Sequence, residues 1–263
     1  MSIVAEERVS TTVGGPSATG LSKGSIGNIS VSLVNRTEAL NELWSRMEEN
    51  KKSRLFFVNA HCYNLSQKDR RYEDCLEQAE IVLNDGIGIQ LGAKVFGIRF
   101  EENLNGTDFS PILLTESRDR GLTVFLLGAK PGIAERAAAN LKDSIQGLSI
   151  VGTHHGYFED SAAMVRMINA ADPDILIVGM GVPQQEKWIT EHFDALNARI
   201  VAGVGAFIDF AAGRVSRAPR WMRICRMEWM YRLMLEPGRM WRRYLVGNFK
   251  FFYYIIRNKW QAG

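Results

Sequence analysis

A chain of 263 residues, 46% hydrophobic and 23% charged, has the composition of a globular protein and room for one α/β domain plus an appendage, or two small domains. Its three cysteines, Cys62, Cys75 and Cys225, are odd in number and lack CxxC spacing, which argues against a disulfide framework or a structural zinc site and fits a reducing compartment. The net charge of +3 hides an asymmetry: residues 214–263 hold 12 Lys/Arg against 2 Asp/Glu, together with 11 of the 26 aromatic residues, so an acidic body carries a basic, aromatic tail suited to a polyanion.

Residues 1–28 are rich in Ser, Thr and Gly without apolar periodicity, and read as a disordered leader. No basic stretch followed by an apolar run marks a signal peptide there. From Ile29 onward, short β-branched or aromatic runs alternate with helical patterns. The predicted strands are Arg54–Asn59, Ile81–Asn84, Thr123–Leu127, Ser149–Gly152, Ile175–Val178 and Ile200–Ala202, with helices such as Ile133–Asp143 and Ala162–Ala170 between them. That rhythm predicts an α/β fold, a mostly parallel sheet flanked by helices, over residues 29–213. Residues 214–263 form a separate helical appendage in this reading. All six strands precede it, so the core is expected to fold without it. The aromatic–aliphatic run Phe251–Ile256 is too short to span a bilayer.

Open parallel sheets bind ligands beyond the carboxyl ends of their strands. Here those ends carry Asn59 and His61, Asn84-Asp85-Gly86, Gly128-Ala-Lys130, Gly152-Thr-His-His-Gly156, Gly179-Met-Gly181 with Gln185 and Glu186, and Gly203-Val-Gly205. Asp85, between an apolar strand and a glycine, is either a turn or cap residue or a general base taking a hydroxyl proton. Asp108 reads as the cap of the helix containing Pro111, with Asn105 and Gly106 as a candidate site loop. The adjacent His154 and His155 suit neither helical zinc binding nor a triad, and read as loop residues.

No P-loop motif occurs, and Gly179-Met-Gly181 lacks the third glycine of a dinucleotide fingerprint, which weakens an oxidoreductase or methyltransferase reading. No acidic pair stands at a strand end to bridge a metal and a diphosphate. The expectation is therefore a metal-free site without a cofactor, its leaving-group charge met by protein cations. Arg214, Arg217, Arg220 and Arg223 recur every three residues, and on a helix would lie along roughly one side. Trp221, Trp229, Leu233, Met234, Trp241 and Tyr244 supply an apolar face beside them, a combination suited to an anionic bilayer surface. Nucleic acid is the competing polyanion, but no nucleic-acid-binding motif accompanies the patch.

Taken together, Asn59-Ala-His61, Asn84-Asp85-Gly86, Gly106-Thr-Asp108, Gly128-Ala-Lys-Pro131-Gly, Gly156-Tyr-Phe158, Gly179-Met-Gly-Val-Pro183-Gln-Gln185-Glu186, Gly203-Val-Gly205 and Arg217-Ala-Pro-Arg-Trp221 resemble the WecG/TagA/CpsF glycosyltransferase family, over roughly residues 30–250. The resemblance implies a Rossmann-like core and an appendage that helps complete the site and contacts the membrane. It implies inverting, metal-independent transfer from a UDP-sugar to an undecaprenyl-diphosphate-linked sugar, at the cytoplasmic face of the cell membrane. Asp85 matches the proposed catalytic base, and Asn59 and Gln185 match polar residues of the nucleotide-sugar pocket. Asp209 falls where an acidic residue near the uridine is expected, and Arg214, Arg217 and Arg220 lie in the segment implied to engage the diphosphate. Homo-oligomerisation is left open.

The chain departs from the family pattern in two places. Phe57 stands where members using N-acetylmannosamine usually have Thr, and Asn103-Leu-Asn105 stands where many have an Arg. Both departures favour an exopolysaccharide-type member using UDP-glucose or another hexose, so the expected donor is UDP-glucose or UDP-N-acetylmannosamine.

Overall fold

The computed structural model describes residues 20–219, 221–222, 228–235 and 237–262. Of the expectations above, most of the leader (1–19), together with Arg220, Arg223 and Cys225, lies outside the described residues.

The described chain opens with an antiparallel hairpin, β1 (Lys23–Ile26) and β2 (Ile29–Ser32), paired from Lys23–Ser32 to Ile26–Ile29. This corrects the leader boundary at residue 28. A two-residue Gly-Asn turn between two isoleucines is a hairpin signal. Gly27 adopts φ +57°, and a Cβ there would run into Tyr63 Oη and Asn258 Nδ2. Only glycine fits this turn, both for its backbone and for what presses against it.

A single six-stranded sheet follows: β3 (Ser53–Val58), β4 (Ile81–Asn84), β5 (Thr123–Gly128), β6 (Ser149–His154), β7 (Ile175–Gly179) and β8 (Ile200–Gly203), in the order β4-β3-β8-β7-β5-β6. Every neighbouring pair is parallel. Both faces are covered, and for that reason the central strands are apolar throughout rather than alternating. Leu55 and Phe57 face one buried cluster while Phe56 and Val58 face the other; Ile175 and Ile177 likewise oppose Leu176 and Val178.

The first face is covered by α1 (Arg36–Glu48), α5 (Gly106–Asp119), α6 (Ile133–Ser144) and α9 (Phe207–Ala211), through Leu43, Leu113, Leu141 and Phe207 among others. The second is covered by α2 (Ala60–Ser66), α3 (Arg70–Glu77), α4 (Ile87–Val95), α7 (Ser161–Ala171) and α8 (Gln184–His192). The tail then runs through α10 (Glu228–Leu235), α11 (Pro237–Trp241), a π-helical turn over Arg242–Val246, and α12 (Gly247–Ala262).

Helix α12 is built into the second face. Phe251 and Ile255 are buried in the same apolar cluster as Tyr63 and Ile89. The Phe251 ring meets Tyr63 edge-on, with centroids 5.3 Å apart, and it fits against α4 only because position 92 is glycine: a Cβ would lie 2.6 Å from Phe251 Cζ. Asn258 Nδ2 donates to Tyr63 Oη (2.8 Å) and Gln67 Oε1 (2.9 Å), and Asn64 Nδ2 donates to the Gly247 carbonyl (2.7 Å). These bonds satisfy polar groups that the docking buries. The sheet and the last helix therefore share one core.

Candidate active site

The carboxyl ends of the parallel strands open into a cleft of about 1170 Å³, floored by the strand-end loops and walled on one side by the tail. Asn59, His61, Asp85, Gln185, Asp209 and Arg214 line it, so the structure brings these six sequence-predicted residues together. Asn105, Gly128, Glu186 and Arg217 do not line it, and Arg220 lies outside the described residues.

The β4 edge of the sheet contributes the junction of β3 and β4 to the cleft. Asn59 is the N-cap of α2, its Oδ1 accepting from the backbone N–H of His61 (3.0 Å) and Cys62 (3.2 Å). With the carbonyl end fixed by capping, the amide end is turned outward, and Asn59 Nδ2 donates to Asp85 Oδ2 at 3.1 Å. Asp85 is itself held at the backbone, its N–H donating to the Val58 carbonyl (2.8 Å), which extends the β3–β4 pairing past the last strand residue. Gly86, rather than Asp85, occupies the N-cap position of α4 and makes no side-chain cap bond. Asp85 lies half-buried in the cleft.

Further along the sheet, the turn after β7 also lines the cleft. Gln185 is buried, with Oε1 accepting from the Gly205 N–H (3.0 Å) and Nε2 donating to Glu186 Oε1 (2.9 Å). Its amide ties the β8 loop to the start of α8. Glu186 lies wholly inside, behind Gln185, and its Oε2 has no hydrogen-bond partner. Burial pushes the Glu186 carboxyl up to about 8, so it is mostly protonated at neutral pH. Expected from the sequence to bind substrate, Glu186 instead lies behind Gln185 and is not part of the cleft lining.

An acid whose native pKa is raised stabilises the fold below its unfolded value, and that stability is lost as pH rises towards the native value. Glu186→Gln keeps an oxygen for Gln185 without the titration. Between about pH 4.5 and 8 the wild type is expected to lose stability, on the order of a few kcal/mol, that the variant retains. Denaturant midpoints across this range check it; parallel pH profiles for the two proteins would remove the buried acid from the account.

Several further assignments change. Gly128 lies beneath the cleft, where its Cα packs on the Gly179 backbone, leaving Ala129 and Lys130 to line the surface. Asn105, not Asp108, caps α5: Asn105 Oδ1 accepts from the Asp108 N–H (2.9 Å), since the helix begins at Gly106, well ahead of Pro111. Residues 214–219 are not helical, so Arg214 and Arg217 do not form a row of guanidiniums. Arg214 Nη1 bonds Asp209 Oδ1 (2.6 Å) across the turn after α9, and Arg217 Nη2 bonds Asp108 Oδ1 (2.7 Å) at the start of α5. Sequence spacing showed the basic residues but not the carboxylates that the fold sets against them. His154 and His155 stack on each other, with centroids 4.2 Å apart, outside the cleft.

Four cations line the cleft without an ion pair to any described carboxylate: Lys68 after α2, Lys130 after β5, and Arg242 and Lys250 on the tail wall. Of these, only Lys130 stood at a strand end legible in the sequence. Lys250 and Tyr254 are one turn apart on α12 and reach the cleft because Phe251 and Ile255 anchor the helix beside them. Phe57 also lines the cleft, its ring edge-on to Phe109 (5.9 Å) and close against Gly106.

The family model for the glycosyl transferase WecG/TagA/CpsF family matches residues 25–263. The N-acetylglucosaminyldiphosphoundecaprenol N-acetyl-beta-D-mannosaminyltransferase of Bacillus subtilis (strain 168) is 33% identical over 188 residues, covering 72% of this chain and 73% of the relative. The protein of the same name from Bacillus spizizenii is 30% identical, covering 76% and 77%. That from Staphylococcus aureus (strain MRSA252) is 29% identical, covering 78% and 81%.

Proposed function

The chain belongs to the WecG/TagA/CpsF glycosyltransferase family, and from that premise we propose that it transfers N-acetylmannosamine from its UDP-activated form to N-acetylglucosaminyldiphosphoundecaprenol. The observation that carries this reading is the Asn59–Asp85 pair, set at neighbouring strand ends inside the cleft at the carboxyl edge of the sheet. Membership of a glycosyltransferase family replaces the oxidoreductase and methyltransferase alternatives.

In the proposed reaction Asp85 accepts the proton of an acceptor hydroxyl as that oxygen attacks the anomeric carbon, opposite the departing UDP. Asn59 holds the carboxylate through its amide hydrogen. Diphosphate charge develops on the leaving group, and Lys130, Arg242 and Lys250 are cleft cations available to meet it. Arg214 is committed to Asp209, so in this reading it shapes the uridine side of the cleft through that pair.

The acceptor named for the relatives is a lipid, and α12 offers a surface to meet one. Phe249 is 80% exposed and Trp260 84%, with Tyr253 and Ile256 between them on the side opposite buried Phe251 and Ile255. An exposed apolar stripe beside Lys250 and Lys259 suits the anionic cytoplasmic surface of the cell membrane. No described helix is long and apolar enough to cross a membrane.

Phe57 favours one second reading. Its ring fills part of the cleft wall against Gly106, which disfavours a bulky N-acetyl group on the donor and favours UDP-glucose. A panel of UDP-sugars, assayed for UDP release with N-acetylglucosaminyldiphosphoundecaprenol in vesicles, with and without EDTA, decides between them. UDP-N-acetylmannosamine is expected to turn over fastest, chelator present or not. A preference for UDP-glucose selects the second donor, and no turnover with any UDP-sugar refutes both.

A further inference from the structure

Helix α4 carries an apolar stripe of its own. Ile87, Leu91 and Val95 recur at four-residue intervals and are all exposed, Leu91 by 41% and Val95 by 42%. This spacing places them along one side of the helix, away from buried Ile89 and Ala93. Nothing among the described residues covers that side.

The neighbour of α4 is α12. Gly92 meets Phe251 and Ile255, and Lys259 Nζ stands 5.7 Å from the Phe96 ring. Advancing along α4 thus advances along α12, so the two helices lie side by side and run in the same direction. Both start at the cleft: Asp85 stands one residue before the start of α4, across Gly86, and Gly247 and Lys250, in the first turn of α12, are in its wall. By helical rotation, Leu91 and Val95 lie on the flank of the α4 stripe nearer α12, and Phe252 and Ile256 on the flank of the α12 stripe nearer α4. The stripes are thereby two halves of one apolar face. Lys94 and Lys250 stand at its outer edges, and Lys259 beside Phe96 where the two helices meet.

We propose that α4 is a second membrane-contacting helix, so that the bilayer meets a paired α4–α12 surface rather than the tail alone. This rests on the reading that α12 docks on an anionic bilayer. The occupant follows from continuity with that surface and from its basic edges, which complement anionic headgroups. It also gives the catalytic centre a fixed depth. The proposed base is separated from a membrane-lying helix by Gly86 alone, so docking α4 sets Asp85 at the headgroup level, where the sugar of a lipid-diphosphate acceptor emerges.

The test compares Leu91→Ser/Val95→Ser with Phe252→Ser/Ile256→Ser in sedimentation with vesicles of phosphatidylglycerol and phosphatidylethanolamine. The α4 pair is expected to weaken vesicle binding about tenfold, as loss of two partly inserted aliphatic side chains implies. Turnover on vesicle-embedded acceptor should fall with it, while turnover on a short-chain, water-soluble acceptor stays at the wild-type level. If only the α12 pair weakens binding, α4 is not in the interface and the tail reading survives. If neither pair weakens it, the membrane reading of the tail fails too. A second measurement leaves the stripe apolar: Leu91→Cys in a Cys225→Ser background, carrying an environment-sensitive fluorophore. A blue shift on adding vesicles supports burial at α4, and an unchanged spectrum overturns it, whatever the serine variants do to folding.

Discussion

Asp85→Asn is expected to leave the fold intact and to lower turnover by about 10²–10⁴-fold, the usual contribution of a positioned general base. The structure separates these two effects. The bond that fixes the side chain runs from Asn59 Nδ2 to Asp85 Oδ2, and an asparagine can present its carbonyl oxygen to the same donor. The backbone bond from residue 85 to the Val58 carbonyl is unaffected by the change. What is lost is basicity, since an amide cannot take the acceptor proton. Thermal melts matching the wild type, together with collapsed turnover at saturating substrates, are the expected pair of results. Wild-type turnover in a folded variant would remove Asp85 from the mechanism.

The second large effect concerns stability. Phe251→Ala is expected to cost about 3–5 kcal/mol, the range for deleting a buried aromatic side chain, because the ring is closed in by Tyr63 and by the glycine surface of α4. Chemical denaturation measures it directly; a cost within experimental error would mean that α12 does not dock as described. Truncation before Arg214, which the sequence suggests should leave a folded core, acquires a different expected outcome. It removes Phe251 and Ile255 from the second-face cluster and strips the wall carrying Arg242 and Lys250 from the cleft. Loss of transfer and self-association through the uncovered faces of α2 and α4 are expected together.

Five of the six core strands were legible because parallel strands covered on both sides read as largely apolar runs followed by glycine or a polar residue; β6, partly exposed at the sheet edge, was legible from its Ile-Val pair and the glycine after it. The β1–β2 hairpin was not, since its four-residue strands share the Ser- and Gly-rich composition of the segment before them. Asn59 and Asp85 could be placed at strand ends from local pattern alone. Their hydrogen bond joins residues 26 apart and follows only from the pairing of β3 with β4. Distance also explains the misread arginines. Arg217 finds its carboxylate 109 residues earlier, and no local spacing reports such a partner. The tail's aromatics were visible, but not their division between a docked side and an exposed one, because that division depends on where Gly92 and Tyr63 stand in the folded core.

The interlock of Gly27, Tyr63 and Asn258 also carries a consequence for the order of synthesis. Tyr63 and Asn258 are 195 positions apart, so the ring leaves the ribosome long before the side chain that closes over it exists. At about 5–20 residues per second, that interval is roughly 10–40 s. During it the hairpin turn, α2 and α4 can assemble on the growing sheet, but the groove that receives α12 stays open and apolar. A nascent chain of this protein therefore presents a defined sticky patch to whatever holds unfinished chains in solution, and the patch persists until α12 emerges and closes over it.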